Sequence, residues 1–253
     1  MNNDNVAIII PARYGSTRLP GKPLLEINQK PMIQWAYENA AKVKRVEKII
    51  VATDNEKIIN TVKAFGGEAI LTRSDHQTGT DRIAEVAENI DASVIINLQG
   101  DEPFISPQSI EALIDTVWLK PDIVMGTLVT SIKTDEQLTN PGHVRVVLDN
   151  NRFALYFTRA TIPYLHNIKR TGWLDFARDT FYDHVGLYAY RKDFLMKLVN
   201  FPQSKLEQLE QLEQLRALEN GYKIKVNIVD APGLCIDTEE DLARAREFAN
   251  TLK

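Results

Sequence analysis

Short apolar runs alternate with longer amphipathic segments through the first half of the chain. The apolar runs have the length of buried strands, and the segments between them repeat apolar positions with helical spacing. Alternation of this kind predicts an α/β fold with a mostly parallel sheet covered by helices on both faces. The predicted strands are Val6–Ile10, Lys48–Thr53, Glu68–Thr72 and Ser93–Gln99, and the predicted helices are Pro31–Val43, Asn55–Phe65, Thr80–Ile90 and Pro107–Leu119.

Near residue 123 the pattern changes, and strand-like segments follow one another with fewer helices between them. Asp149, Asn150 and Asn151 separate two of these segments and are typical of a hairpin turn. We expect a single domain over residues 1–253 that carries a β-rich insertion at about residues 130–185. The predicted elements are strands at Ile123–Ile132, Val144–Leu148, Phe153–Thr158, His184–Arg191 and Lys223–Val229, and helices at Lys192–Asn200, Ser204–Asn220 and Glu239–Leu252.

Leucine recurs at every third position within the predicted helix Ser204–Asn220. A coiled coil is one interpretation of this repeat. Because a helix has 3.6 residues per turn, however, leucines spaced by three spiral around it instead of forming a seam. The spacing therefore favours a partly buried surface helix.

Polar loops follow the four strands of the first half. In sheets of this kind, ligands bind beyond the carboxyl ends of the strands. We therefore expect the loops Pro11–Pro23, Asp54–Asn55, Arg73–Gly79 and Gly100–Pro103 to face one crevice.

The first loop, residues 11–23, is the most informative segment. It carries Arg13, Arg18 and Lys22, no acidic residue, and two glycines that allow tight bends. Cations and backbone N–H groups at a strand end suit a polyphosphate. The loop is not a Walker motif, because five residues separate its glycines and a proline follows the lysine.

Two acidic residues follow other predicted strands. Asp101 comes directly after the fourth strand, and Asp237 precedes the last helix, where Thr238 and Asp241 resemble a capping box. Magnesium prefers a few carboxylates combined with phosphate oxygens, so this pair predicts a site for Mg2+. The alternatives are an acidic turn at Asp101 and a carboxylate stabilised by the helix dipole at Asp237.

The loop Arg73–Gly79 is dense in hydrogen-bonding groups suited to a nucleobase and a ribose. The alternative is a solvated loop whose following helix is capped by Thr80. A single histidine such as His76 is more often structural than catalytic. Cys235 is the only cysteine and lacks an obvious catalytic partner, which argues against thiol chemistry.

Composition narrows the functional classes. With 253 residues, of which 44% are hydrophobic, the chain can bury a sizeable core. A net charge of −4 predicts no general attraction to nucleic acid or anionic membrane, so an anion site must be local. The N-terminus is polar, and no apolar run approaches the roughly 18 residues of a spanning helix. We therefore expect a cytoplasmic protein that does not enter the membrane.

These motifs together resemble the 3-deoxy-manno-octulosonate (Kdo) cytidylyltransferases of the sugar nucleotidyltransferase superfamily. The resemblance extends in order along nearly the whole chain. The matching segments begin at Ile10 (IPARYGSTRLPGKP), Val51 (VATD), Ser74 (SDHQTGTDR), Asn97 (NLQGDEP), Ala154 (ALYFTRATIP), His184 (HVGLYAYR), Leu212 (LEQLR) and Ile236 (IDTEEDL).

The resemblance implies a Rossmann-like three-layer sandwich that transfers CMP from CTP to Kdo with Mg2+ and releases pyrophosphate. The implied catalytic residues are Arg13, Lys22, Asp101 and Asp237, of which Asp101 and Asp237 are the metal ligands. The implied CTP-binding residues are Arg13, Ser16, Thr17, Arg18, Lys22, Arg73, Ser74, Thr78, Gly79 and Gln99. The implied sugar-binding residues are Gln99, Arg159, His184, Tyr188, Glu213 and Gln214.

The resemblance further implies a homodimer joined through the inserted region and a role in lipopolysaccharide synthesis. Cys235 departs from the family pattern, which has glycine or another small residue there, and we expect it to pack as a small apolar group. Two other functions stay open. One is a cytidylyltransferase for another acidic sugar, such as a nonulosonate, and the other is a non-catalytic nucleotide-binding or assembly protein.

Overall fold

The computed structural model describes residues 5–15, 19–118, 120–230 and 233–252. The chain divides into two compact units. The first unit comprises Met1–Glu111 and Gly233–Lys253, and the second comprises Ala112–Pro232. Within the described ranges, the model contains no helix with the length and apolar character required to cross a membrane.

The regular elements follow the sequence pattern closely. The strands are β1 (Val6–Ala12), β2 (Glu26–Ile27), β3 (Lys30–Pro31), β4 (Lys48–Thr53), β5 (Glu68–Leu71), β6 (Val94–Asn97), β7 (Met125–Ser131), β8 (Arg145–Leu148), β9 (Ala154–Thr158), β10 (Tyr182–Arg191) and β11 (Ile224–Ile228). The helices are α1 (Met32–Ala40), α2 (Glu56–Ala64), α3 (Gly79–Glu88), α4 (Pro107–Trp118), α5 (Asp135–Thr139), α6 (Trp173–Ala177), α7 (Lys192–Leu198), α8 (Lys205–Glu210), α9 (Gln214–Glu219) and α10 (Glu239–Thr251).

The first unit contains the predicted parallel sheet. Its strands lie in the order β6-β1-β4-β5, and each neighbouring pair is parallel. The central residues Ile8, Ile9 and Ile10 of β1 are fully buried, as strands covered on both faces require. The prediction of a mostly parallel α/β sheet is therefore confirmed.

Side-chain caps set the starts of the helices that follow these strands. Thr238 and Asp241 form the predicted capping box of α10. The cap at Thr80, which belonged to the alternative interpretation of the preceding loop, is not formed. Thr78 caps α3 in a second capping box with Asp81, and Thr80 is buried inside the helix. The cap lies two residues earlier because Thr78 has the extended backbone of an N-cap.

The second unit is rich in antiparallel strands. β7 pairs antiparallel with β10 and parallel with β11, while β8 pairs antiparallel with β9 and β10. The predicted turn between β8 and β9 is present, and Asp149 closes it by accepting hydrogen bonds from the backbone of Asn151 and Phe153. Residues 160–183, where no helix or strand was predicted, contain the short helix α6, whose Trp173 packs against Phe181.

The prediction of one helix over Ser204–Asn220 is wrong, because the segment forms the two short helices α8 and α9. The chain turns at Gln211, which adopts a left-handed conformation with φ of 55°. Leucines spaced by three cannot all face one side of a straight helix. The break lets Leu212 and Leu215 become buried, while Leu209 stays exposed.

Candidate active site

A pocket of about 380 Å³ opens in the first unit. Its wall is formed by three of the predicted loops, the start of α3 and the segment before α10. The lining residues are Pro11, Ala12, Arg13, Lys22, Pro23, His76, Gln77, Thr78, Gly79, Arg82, Gln99, Gly100, Asp101 and Asp237. The expectation that the strand-end loops share one crevice is thus confirmed for the loops after β1, β5 and β6.

The local fold of the first loop positions Lys22. Gly21 adopts φ of 68°, which glycine allows without strain, and its N–H donates to the carbonyl of Tyr14 at 3.1 Å. A short 3₁₀ helix, Lys22–Leu24, then begins, and Pro23 is buried within it. The backbone of Lys22 is consequently held at the pocket wall, and the length of its side chain carries the ammonium group inward.

The ammonium group of Lys22 bridges two carboxylates that are distant in sequence. Its Nζ atom lies 2.7 Å from Oδ2 of Asp101 and 2.9 Å from Oδ1 of Asp237. Burial alone would lower the pKa of Lys22, but the two carboxylates outweigh it and the pKa is raised. The lysine is therefore charged, and the three groups form a compact charged cluster.

Backbone hydrogen bonds hold the two acidic residues together. The N–H of Ile236 donates to the carbonyl of Asp101 at 3.0 Å, which ties the segment before α10 to the loop after β6. The N–H of Asp237 donates to the carboxylate of Asp241 at 3.0 Å. The capping box of α10 thus also fixes the backbone of Asp237.

Two neighbours of this cluster have raised pKa values. Burial and the charges of Asp101 and Asp237 raise the pKa of Glu102 to about 8, which favours its protonated form near neutral pH. Burial of the sulfur and the nearby carboxylates also raise the pKa of the Cys235 thiol. The negative charge of the site therefore resides on Asp101 and Asp237.

The donor set matches the chemistry of a magnesium site in part. Carboxylate oxygens of Asp101 and Asp237 and the sulfur of Cys235 lie within 4.8 Å of one another. The oxygens are hard donors of the kind that magnesium prefers, whereas a thiol is not. Cys235 is exposed as a residue, so the expectation that it packs as a small apolar group is wrong.

The loop Arg73–Gly79 is anchored from α3. Arg82 donates to the carboxylate of Asp54 at 2.8 Å and to the hydroxyl of Thr72 at 2.5 Å. Nε2 of His76 contacts the carboxylate of Glu85, which also accepts the N–H of Arg73 at 3.2 Å. Buried or partly buried charged contacts therefore hold the loop that frames one side of the pocket.

The structure brings five of the ten predicted CTP-binding residues into this pocket. Arg13, Lys22, Thr78, Gly79 and Gln99 line it. The others have different positions. Arg73 and Ser74 are exposed and lie outside its wall, whereas Ser16, Thr17 and Arg18 lie outside the described residues.

Seven lining residues were not among the predicted site residues, and three of them, His76, Gln77 and Arg82, have polar side chains. A sequence signal existed for Arg82. It lies in the apolar stripe of α3 beside Ile83 and Val86, and all three side chains are buried. Because an arginine in a buried stripe requires a partner, this position indicated a structured charge near the loop.

Several predicted sugar-binding residues lie in the second unit, on and around β10. Nε2 of His184 lies 2.9 Å from the hydroxyl of Thr127, and burial lowers the pKa of His184 to about 3. Its ring is 5.4 Å from that of Tyr188. Burial, with Tyr190 and Glu213 nearby, raises the pKa of Tyr188 well above its usual range. His184 and Tyr188 are consequently neutral hydrogen-bonding groups.

The remaining predicted sugar-binding residues of this unit lie near the turn between α8 and α9. Gln214 is 4% exposed, and its Nε2 atom has no hydrogen-bond partner among the described residues. Arg159 follows β9, and its Nε and Nη1 atoms donate to the carbonyls of Glu210 and Pro141, each at 3.0 Å. Arg159 is thus held by backbone groups.

Comparison with known proteins agrees with the chemistry of the pocket. The chain matches the Cytidylyltransferase family over residues 7–224. It is 48% identical over 241 residues to a 3-deoxy-manno-octulosonate cytidylyltransferase of Syntrophotalea carbinolica, covering 95% of this chain and 96% of the relative. It is also 48% identical over 246 residues to one of Parabacteroides distasonis, with coverage of 95% and 96%.

A solved structure shares the fold throughout. It is a CMP:2-keto-3-deoxy-manno-octonic acid synthetase complexed with CTP, with a TM-score of 0.92, 43% identity, and coverage of 99% of this chain and 100% of the other. A 4-diphosphocytidyl-2C-methyl-D-erythritol synthase of Anaerococcus prevotii, at 17% identity, shows only the same fold, with a TM-score of 0.62 and coverage of 98% and 99%. The chain therefore belongs to the cytidylyltransferase family, and within it to the 3-deoxy-manno-octulosonate cytidylyltransferases.

Proposed function

We propose that this protein transfers CMP from CTP to Kdo and releases pyrophosphate. The observation that carries the proposal is the cluster of Lys22, Asp101 and Asp237 in the wall of a pocket at the strand ends. A site that combines cations with two carboxylates suits a metal-bound triphosphate. The relatives with this name cover nearly the whole chain, which supports Kdo as the sugar.

The triphosphate is bound by the cationic side of this pocket. Arg13 and Lys22 supply positive charge, and the N-terminus of α3, at Thr78 and Gly79, adds the positive end of a helix dipole. Ser16, Thr17 and Arg18 belong to the same loop in the sequence and complete the proposed phosphate contacts. Arg73 and Ser74 are assigned to the cytosine side, together with Gln99.

Asp101 and Asp237 are the residues that would hold Mg2+. Lys22 donates to both of them, so the two carboxylates already stabilise one cation between them. When bound, magnesium neutralises charge on the phosphate oxygens of the triphosphate.

In the reaction, the anomeric hydroxyl oxygen of Kdo bonds to the α-phosphorus of CTP. The bond from that phosphorus to the β-phosphate oxygen breaks, pyrophosphate leaves, and the hydroxyl proton passes to solvent. No covalent bond to the protein is needed. Arg13 and Lys22 contribute by orienting the phosphates and countering their charge, which are the main sources of catalysis in such transfers.

Kdo itself is assigned to Gln99, Arg159, His184, Tyr188, Glu213 and Gln214. Arg159 is the candidate for the sugar carboxylate, because a guanidinium group can bind a carboxylate through two hydrogen bonds. The neutral state of His184 and Tyr188 suits hydrogen bonding to hydroxyl groups without attracting a second anion.

We also propose a cytoplasmic homodimer joined through the second unit. Leu155, Tyr164 and Phe176 are each more than 60% exposed within the predicted insertion, and their apolar surface supports a contact there. Sedimentation of the purified protein tests the dimer, and Leu155→Glu should shift it to the monomer. A wild-type protein that sediments as a monomer at micromolar concentration would contradict this assignment.

The deciding experiment combines CTP and magnesium with a panel of 2-keto sugar acids. Pyrophosphate release and the mass of the product are measured with Kdo, with N-acetylneuraminate and with no sugar. The expected result is that CMP-Kdo forms with Kdo, and that no product forms with N-acetylneuraminate or without a sugar. Turnover of N-acetylneuraminate but not Kdo would assign another acidic sugar. Absence of turnover with every sugar would favour a non-catalytic nucleotide-binding protein.

A further inference from the structure

Glu210, at the end of α8, makes a set of contacts that no prediction from the sequence anticipated. One carboxylate oxygen accepts the hydroxyl of Thr158 at 2.5 Å, and the other accepts the backbone N–H of Arg159 at 2.9 Å. The carbonyl of Glu210 accepts Nε of Arg159 at 3.0 Å. A single residue thus binds both the backbone and the guanidinium group of Arg159.

These contacts leave one edge of the guanidinium group available. Arginine has five N–H donors, one on Nε and two on each terminal nitrogen. Nε donates to Glu210, and one hydrogen of Nη1 donates to the carbonyl of Pro141 at 3.0 Å. Nη2 donates to no other described residue, and the edge formed by one hydrogen of each terminal nitrogen is the one that can bind a carboxylate through two hydrogen bonds.

Glu210 also borders the turn that carries Glu213 and Gln214. Gln211 reverses the chain immediately after Glu210, and Arg216 on α9 binds Glu207 on α8 through two contacts of 2.8 and 2.5 Å. Both charged side chains of this pair are at least 93% buried. The turn is therefore fixed at its base by an ion pair, and Glu210 ties its start to the end of β9.

We infer that Glu210 is a positioning residue for the sugar, one that sets the orientation of Arg159 relative to the turn bearing Glu213 and Gln214. This inference rests on the proposed function, in which Arg159 binds the Kdo carboxylate. Glu210 does not itself contact substrate in this assignment. Its effect is exerted on sugar binding through Arg159, and neither Glu210 nor Arg159 lines the pocket proposed for CTP.

The test compares Glu210→Ala, Glu210→Gln, Arg159→Ala and the matched control Gln208→Ala. Gln208 is exposed on the same helix, its side chain donates to the carbonyl of Gln203, and among the described residues it makes no hydrogen bond to Arg159. KM and kcat are measured for Kdo and CTP separately, and thermal midpoints are recorded for every variant.

Glu210→Ala removes the carboxylate that accepts the hydroxyl of Thr158 and the backbone N–H of Arg159, and it keeps the carbonyl that accepts Nε. Loss of the contact between the carboxylate and the backbone of Arg159 should raise KM for Kdo about tenfold, the equivalent of one hydrogen bond to a charged group, and leave KM for CTP near wild type. Glu210→Gln should restore most of the loss, because an amide oxygen can still accept the N–H of Arg159. Gln208→Ala should match the wild type.

Three outcomes would overturn the inference. One is an unchanged KM for Kdo in Glu210→Ala while Arg159→Ala raises it, which leaves the proposed function standing. Another is an equal rise in KM for both substrates with a lowered thermal midpoint, which indicates a purely structural role. A wild-type protein that does not use Kdo removes the proposed function and this inference together.

Discussion

The buried ion pair between Glu207 and Arg216 offers a quantitative test of how the second unit is held together. Their side chains are 5% and 7% exposed, and the guanidinium group binds both carboxylate oxygens. Replacing Arg216 by methionine leaves the Glu207 carboxylate buried with its main partner removed. Breaking a buried pair from one side costs about 3–5 kcal/mol.

For a chain of this size, that loss corresponds to a fall of roughly 6–20 °C in the thermal midpoint. Glu207→Leu should cost a similar amount, since it leaves a buried guanidinium group. The double variant should be much closer to the wild type, because replacing both charges by apolar groups removes the uncompensated charge. It should retain a deficit of about 1 kcal/mol, because Glu207 also accepts the N–H of Ser204 in the capping box of α8.

Unfolding followed by circular dichroism, in heat and in urea, measures these differences. The matched control is Arg244→Met. Arg244 pairs with Asp241 on the surface of α10, where its side chain is 67% exposed, so its loss should cost less than about 1 kcal/mol. The reasoning is refuted if both single variants stay as stable as this control, or if the double variant loses the sum of the two single effects.

Three further predictions concern the active site and its surroundings. Asp101→Asn and Asp237→Asn should each abolish CMP-Kdo formation with an unchanged thermal midpoint, because each removes a charge from the proposed metal site. Asp91→Asn, at an exposed position, is the control. If the Asp101 or the Asp237 variant keeps a near-wild-type rate in saturating magnesium, the altered residue is not a metal ligand. Lys22→Ala should raise KM for CTP far more than KM for Kdo, measured by initial rates, since the ammonium group lies in the proposed triphosphate pocket; an unchanged dependence on CTP would contradict this role. For His184, the folded pKa of about 3 lies below the ordinary value near 6.5, so the unfolded chain takes up a proton that the folded protein excludes. The contribution of neutral His184 to the free energy of unfolding is thus complete above pH 6.5 and declines by roughly 2 kcal/mol between pH 6.5 and 5. His184→Gln should flatten that part of the plot of unfolding free energy against pH, measured by urea titration. The same slope in the variant would contradict the assignment.

Much of the first unit was predictable because its signals are local. A short continuous apolar run such as Val6–Ile10, followed by a loop with glycine and proline, is typical of a strand buried on both faces. Thr238 and Asp241 cap the last helix through contacts across three residues, so the sequence alone was enough to predict them. The resemblance in the first loop likewise depends on adjacent residues, and the family to which it pointed is confirmed.

Contacts between residues that are distant in the sequence were harder to predict. The break at Gln211 was missed because the leucine repeat is a local signal, whereas the buried pair of Glu207 and Arg216 joins residues on either side of the break. The roles of His76 and Arg82 in the pocket wall were missed for a similar reason, since their partners Glu85 and Asp54 lie on other parts of the chain. Local patterns carry no information about which distant charge will be buried beside another.

The sequence by itself determined the alternation of strands and helices, the parallel order that places loops at one sheet edge, and the residue types available there. Only the tertiary structure decided that Lys22 lies between Asp101 and Asp237, 79 and 215 positions away. The physical reason is how far apart along the chain the interacting residues lie. Strand and cap formation depend on neighbours along the chain, whereas a charged cluster depends on backbone hydrogen bonds such as that from Ile236 to Asp101, which form only when the whole unit folds.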